Sequence, residues 1–149
     1  MSARNFALFS GIFFIAIGIL GFVPGMVSVP PSQPDPELVI NTGYGYLFGL
    51  FPTNLLHNLV HLAVGVWGVT SARTPKSAIL YCQAFAILYS LIAVMGLLPG
   101  AGTTFGLMPI FGGNVLLNLG TAAIAAYFGF IKVSGIDVGS NDKGSRIAG

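Results

Sequence analysis

Hydrophobic positions in this chain come in long uninterrupted runs, not in alternation. The run 6–23, FALFSGIFFIAIGILGFV, holds no charged residue. Further runs lie over 55–72, 78–98 and 114–131, each also free of Asp, Glu, Lys and Arg. A bilayer core takes about 20 helical residues. The pattern predicts four transmembrane helices and an all-α integral membrane fold, with 1–133 as one four-helix transmembrane domain. The first run is longer than the apolar stretch of an export leader and no A-x-A site follows it, so it reads as a retained span.

The polar stretches between the runs define the connections. An outer loop covers 24–54. Its middle, SVPPSQPDPELVINT (28–42), is polar, and its prolines exclude a regular helix. The segment GYGYLFGLF (43–51) is apolar but rich in glycine, and is expected to lie in the interface or to dip in as a re-entrant turn. Tyr44 and Tyr46 suit the headgroup level. Pro52, Thr53 and Asn54 are helix-start residues, with Thr or Asn able to cap free N–H groups. SARTPKS (71–77) and AGTTFGLMPIFGG (101–113) read as turns, and 134–149 as a disordered cytoplasmic tail. The close glycine pairs Gly21/Gly25, Gly45/Gly49 and Gly96/Gly100 fall near helix ends and read as turn and cap residues.

Composition agrees with the pattern: 54% of residues are hydrophobic and 7% charged, against about a quarter charged in soluble domains. Charge adds orientation. Arg4, Arg73, Lys76, Lys132, Lys143 and Arg146 all fall at the start, in the 71–77 turn or at the end of the chain. With four spans those places share one side, so the positive-inside rule puts both termini in the cytoplasm. A net charge of +2 without a basic patch argues against nucleic acid as a partner. A single cysteine, Cys82, excludes an internal disulfide.

The chain also repeats itself. FGLFPTNLLHNLVHLAVG (48–65) aligns without gaps on FGLMPIFGGNVLLNLGTA (105–122), and GILGFVPG (18–25) resembles AVMGLLPG (93–100). His57 then corresponds to Asn114, and His61 to Asn118. The expectation is two like-oriented helical hairpins related by an axis along the membrane normal.

FPTNLLHNLVHLAVGVWGV, the four spans and the turn SARTPKS together resemble a bacterial family of four-pass membrane proteins of unknown function (DUF4383-like). The resemblance is most specific at His57, Asn58, His61 and Gly65. It implies a bacterial inner (plasma) membrane or thylakoid protein and brings no established activity. It also implies an acidic or amide residue followed by a histidine in the last helix, where this chain has Asn114 and Asn118. That departure argues against a metal site with four ligands.

The two histidines, His57 and His61, share one helix face about one turn apart. Several uses are open to them. As ligands for Zn²⁺ or Cu²⁺ they need a third or fourth donor, for which Asp35 and Glu37 are the candidates on the same side. Haem needs axial ligands on opposite faces of the ring, which one chain does not supply and a homodimer can. A chlorophyll-type tetrapyrrole pigment needs only one axial histidine. The plainest use is a structural polar network in which His57 and His61 meet Asn114, Asn118 or backbone carbonyls. Tyr89 needs a hydroxyl partner, with His61 or Asn118 in reach. Trp67 and Cys82 read as packing residues.

Enzyme chemistry has little to stand on. The spans hold no carboxylate pair, no nucleophile–base–acid set and no phosphate-binding Gly loop with Lys. The sequence therefore predicts no catalytic residue and a non-enzymatic scaffold or accessory subunit. Its partners would be the lipid bilayer and other membrane protein subunits, or further copies in a homo-oligomer. The alternative is a metal- or pigment-binding protein using His57 and His61.

Overall fold

The computed structural model describes residues 1–29 and 35–133. Helix α1 (Ala3–Leu20) is followed by α2 (Leu55–Ser71), α3 (Pro75–Leu97) and α4 (Gly113–Ala126). The last helix continues as a π-helix over Tyr127–Ile131. Ala3–Leu20, Pro75–Leu97 and Gly113–Ile131 are long and apolar enough to cross a membrane. α2, with 17 residues, is a shorter apolar helix. The expected tail, 134–149, lies outside the described residues.

Local chemistry sets the helix starts. The Ser2, Asn54 and Thr74 side chains accept hydrogen bonds from the backbone N–H of Asn5, His57 and Ser77 at 3.3, 2.9 and 3.2 Å. Pro75, expected in a turn, instead opens α3, where a missing N–H costs nothing. α1 starts earlier than the apolar run and ends at Leu20, capped by Gly21, short of residue 23.

α1 packs along α2, and α3 along α4. The first pair meets at glycines: a Cβ at Gly65 would lie 2.7 Å from Gly11 O, and one at Gly68 would lie 2.9 Å from Gly11 Cα. Towards the termini the core is aromatic, with Phe6, Phe14, Tyr81, Phe85, Tyr89 and Phe128 buried. Phe85 and Tyr89 stack with ring centres 3.9 Å apart. At this terminal end Arg4 Nε donates to Ala72 O (2.9 Å) and Lys132 Nζ to Met1 O (2.6 Å). The chain start, the α2–α3 turn and the end of the last helix therefore come together.

At the opposite end the loops build something the hydropathy pattern did not contain. β1 (Val27–Ser28), β2 (Gly45–Leu47) and β3 (Phe51–Thr53) form an antiparallel sheet in that order, pairing Val27 with Leu47 and Tyr46 with Pro52. The segment 43–51, expected as an interfacial or re-entrant stretch, is thus mostly hairpin. Pro52 is tolerated because β3 is an edge strand. Gly45 is a packing glycine rather than a turn glycine, since a Cβ there would lie 2.5 Å from Ser28 O. Gly96 is another: it sits inside α3 against the Ile110 carbonyl. Positive φ values recur at aligned positions: 55° at Phe48 and 59° at Phe105, 72° at Gly49 and 86° at Gly106, 87° at Gly25 and 81° at Gly100.

Candidate functional site

The first turns of α2 and α4 bring most of the buried amides and both histidines to the sheet end. On α2, Asn54, His57, Asn58 and His61 follow i, i+3, i+4, i+7 spacing, so one stripe of an apolar helix is polar. That stripe faces inward: Asn54, His57, Asn58 and His61 are all buried. The large apolar residues Leu55, Leu59 and Val66 of the same helix are exposed. The inward face of α2 is thus polar and its outward face apolar.

Each amide closes a different joint. Asn54 caps α2 with its oxygen and donates through Nδ2 to Ile40 O (2.7 Å) and Leu107 O (2.8 Å). It thereby ties both loops of the sheet end to one helix start. Asn58 Nδ2 donates to Gly21 O at 3.0 Å, and its oxygen accepts from Thr53 Oγ1 at 2.6 Å. The first of these bonds satisfies a free carbonyl at the end of α1. Asn114 Nδ2 donates to Pro52 O (2.7 Å) and Pro109 O (3.0 Å). Those two prolines are the aligned pair of the sequence repeat.

The His57 ring also faces the Pro52 and Pro109 carbonyls. Its Nδ1 is buried without a hydrogen-bond partner among the described residues. A buried group left unpaired costs about 1–3 kcal/mol. His61 lies against His57 with ring centres 4.3 Å apart and against Phe14 at 5.3 Å. Its side chain makes no hydrogen bond among the described residues.

Both imidazoles line a cavity of about 210 Å³. Asn114 and Thr53 join them, and Phe13, Ile17, Phe48, Phe51 and Leu117 supply most of an almost wholly apolar wall. Phe13 and Phe48 are 41% and 53% exposed, so the cavity reaches the outer surface of the bundle.

The expected polar constellation is thus gathered in part. His57, His61 and Asn114 share the cavity. Asn118 is buried one turn further along without a side-chain hydrogen bond among the described residues, and only its backbone carbonyl accepts, from Thr121 Oγ1. No His–Asn hydrogen bond forms; His57 and Asn114 converge on the same two carbonyls instead. Tyr89 is held by its rings, against Phe14 and Phe85, rather than by His61 or Asn118. Among the described residues no third His, Cys, Asp or Glu joins the histidines. Asp35 accepts from Tyr44 (2.7 Å) and Tyr46 (2.9 Å), and Glu37 is exposed. Burial, and then the bond to Asp35, raises both tyrosine pKa values above the usual one, so these hydroxyls stay protonated and donate.

A cavity of about 150 Å³ accepts benzene. At about 210 Å³ this one holds a single ring with small substituents. The cap at Asn54 was expected, but its bonds to Ile40 and Leu107 and the role of Asn58 were missed from sequence, although the stripe Asn54–His57–Asn58–His61 was a legible signal for them.

No curated protein and no solved structure matches the chain. A family model does match, over residues 4–131, and the chain belongs to that family, described as Domain of unknown function (DUF4383).

Proposed function

We propose that the protein is a non-enzymatic four-span membrane protein that acts by association, as a scaffold or accessory subunit of a larger membrane complex. The observation that carries this is where its surface lies. Outside the helices the described chain consists of the loops that join α1 to α2 and α3 to α4, the α2–α3 turn, and a sheet of two- and three-residue strands. The helices expose Phe9, Ile12, Leu80, Ile87, Leu91 and Leu116. A partner large enough to be held stably is therefore met along the helix sides, within the bilayer.

α2 is the fourth span in this reading. Its 17 residues rise about 25 Å, slightly short of a 30 Å core. That shortfall leaves Asn54 and His57 near the boundary. The spans form two like-oriented hairpins, a reading supported by the matching φ values at Phe48/Phe105, Gly49/Gly106 and Gly25/Gly100. Both termini face the cytoplasm. Arg4 and Lys132 at the terminal end, with Arg73 in the α2–α3 turn and Lys76 in the first turn of α3, support that orientation.

The test is assembly state in gentle detergent from the native membrane. A complex larger than the monomer, with a reproducible co-purifying membrane subunit or further copies of this chain, is expected. A stable monomer that captures nothing would sink the proposal. Accessibility of single cysteines placed near residues 2 and 40, in a Cys82→Ala background, tests the orientation: only residue 40 should react from outside.

A further inference from the structure

The cavity at the sheet end has a feature that packing does not explain. It is lined by His57, which is only 5% exposed and whose Nδ1 has no hydrogen-bond partner among the described residues. Beside it stands His61, also without a hydrogen bond there. Apart from Asn114 and Thr53 the rest of the wall is apolar, with three phenylalanine rings, Phe13, Phe48 and Phe51. Phe13 and Phe48 also belong to the exposed surface, which makes the side wall of the bundle the way in.

We propose that this cavity binds the ring of a membrane-soluble phenol, the quinol class included, with the phenolic hydroxyl hydrogen-bonded to Nδ1 of His57. Each part of the ligand answers a part of the site. An unpaired ring nitrogen calls for a polar partner, and a hydroxyl, which both donates and accepts, answers it in either tautomer, while a plain acyl chain does not. The aromatic wall suits a flat ring, since ring edges and faces pack well against one another. The volume of about 210 Å³ takes one substituted ring, and a longer tail would leave between Phe13 and Phe48 into lipid. His61, which no hydrogen bond holds, turns aside to admit the hydroxyl between the two imidazoles. The inference is independent of the association proposed above; a protein with or without partners can hold such a ligand.

The test uses the full chain in phosphatidylcholine nanodiscs, with ¹⁵N NMR of the histidine side chains. The probes are 4-methylphenol and p-xylene, which differ by one hydroxyl, added at equal mole fraction in the bilayer. The expected result is a saturable shift of His57 Nδ1 with 4-methylphenol, and binding of p-xylene about tenfold weaker, the loss of one hydrogen bond to an otherwise unpaired group. Leu117→Trp, which fills the cavity, should abolish the shift. Should that variant fail to fold, Ile17→Phe reduces the cavity from the other wall and should weaken the phenol. Equal affinity for the two probes would overturn the proposal by showing an apolar void that ignores the hydroxyl. So would the absence of a saturable shift in the native protein, or a shift that survives in a folded Leu117→Trp protein.

Discussion

Along the buried face of α2, the half nearest the sheet is amide and imidazole, and the half nearest the termini is glycine. Asn54, His57, Asn58 and His61 give way to Gly65 and Gly68 on the same stripe. The two halves hold neighbours by different physics. In the polar half, side chains reach across gaps to backbone carbonyls on α1 and on both loops, and a cavity stays open between them. In the glycine half, α1 and α2 approach until backbone touches backbone, and the space beyond is filled by aromatic rings. Lipid tails are as apolar as leucine, so burying apolar side chains drives helix association weakly in a bilayer. Hydrogen bonding and close packing are the two means left, and this helix uses one at each end. The cavity that both histidines line lies at the polar end.

The comparison breaks first at Asn54. Asn54→Leu removes a helix cap worth about 1 kcal/mol and strands the Ile40 and Leu107 carbonyls, at about 1 kcal/mol each. The expected loss is about 3 kcal/mol in reversible unfolding from mixed micelles. A loss no larger than that of an exposed-site control such as Leu116→Ala would show that the loops are held some other way.

In the glycine half the corresponding change is Gly65→Ala. The new Cβ would stand 2.6–2.7 Å from Ile15 Cγ1, Ile15 N and Gly11 O, and two of these atoms are backbone. The helices must separate, at about 2 kcal/mol. Gly120→Ala on α4 is the matched control, because a Cβ there meets nothing within 4 Å. It should stabilise by about 0.5 kcal/mol through the unfolded chain. If both glycines responded alike, the close approach of α1 and α2 would not be what holds that half.

Asn114 and Asn118 sharpen the polar half. Asn114→Ala leaves the Pro52 and Pro109 carbonyls short of a donor and should cost about 1–2 kcal/mol, within the range for membrane hydrogen bonds. Asn118→Ala removes no hydrogen bond of the described residues and should cost about half as much or less. Reversal of that order would place the network on Asn118, as the His61–Asn118 alignment alone suggests.

These residues also show how far the sequence could be read. The apolar runs located all four helices, because the bilayer demands an uncharged stretch of fixed length and α1 and α3 satisfy it without ambiguity. Caps were legible too, since Asn54 follows Pro52 and precedes the apolar stripe. The partners of the amides were not legible. Asn54 bonds to Ile40 and Leu107, and Asn58 to Gly21, all through carbonyls that every residue carries and no side chain marks. The hairpin around Phe48 was hidden for a different reason. Its strands are two or three residues long, below any period-two window, and its tight turn depends on a positive φ at a phenylalanine. The cavity arises only when Phe13, Phe48 and Leu117 from three separate elements are set around His57.

The smallest expected effect lies in the loop outside the bundle, where Asp35 accepts from Tyr44 and Tyr46. Burial first, and the Asp35 hydrogen bond second, raises the Tyr44 pKa above the usual value of about 10. A raised folded-state pKa means that the contribution is complete below the unfolded value and declines as pH rises above about 10. The reason is direct: a tyrosinate cannot donate, and it repels the carboxylate. Loop protection measured by hydrogen exchange at Tyr44 and Tyr46 should therefore hold from neutral pH to about 10 and fall above it. In Tyr44→Phe the protection should be lower by about 1 kcal/mol at neutral pH, a modest figure because the group is only partly buried. The fall above pH 10 should then be shallower, since Tyr46 alone remains to ionise. An unchanged alkaline profile in Tyr44→Phe would mean that the loop is held by its backbone pairing to Gly106, through Val39 and Ile40, and not by the carboxylate clasp.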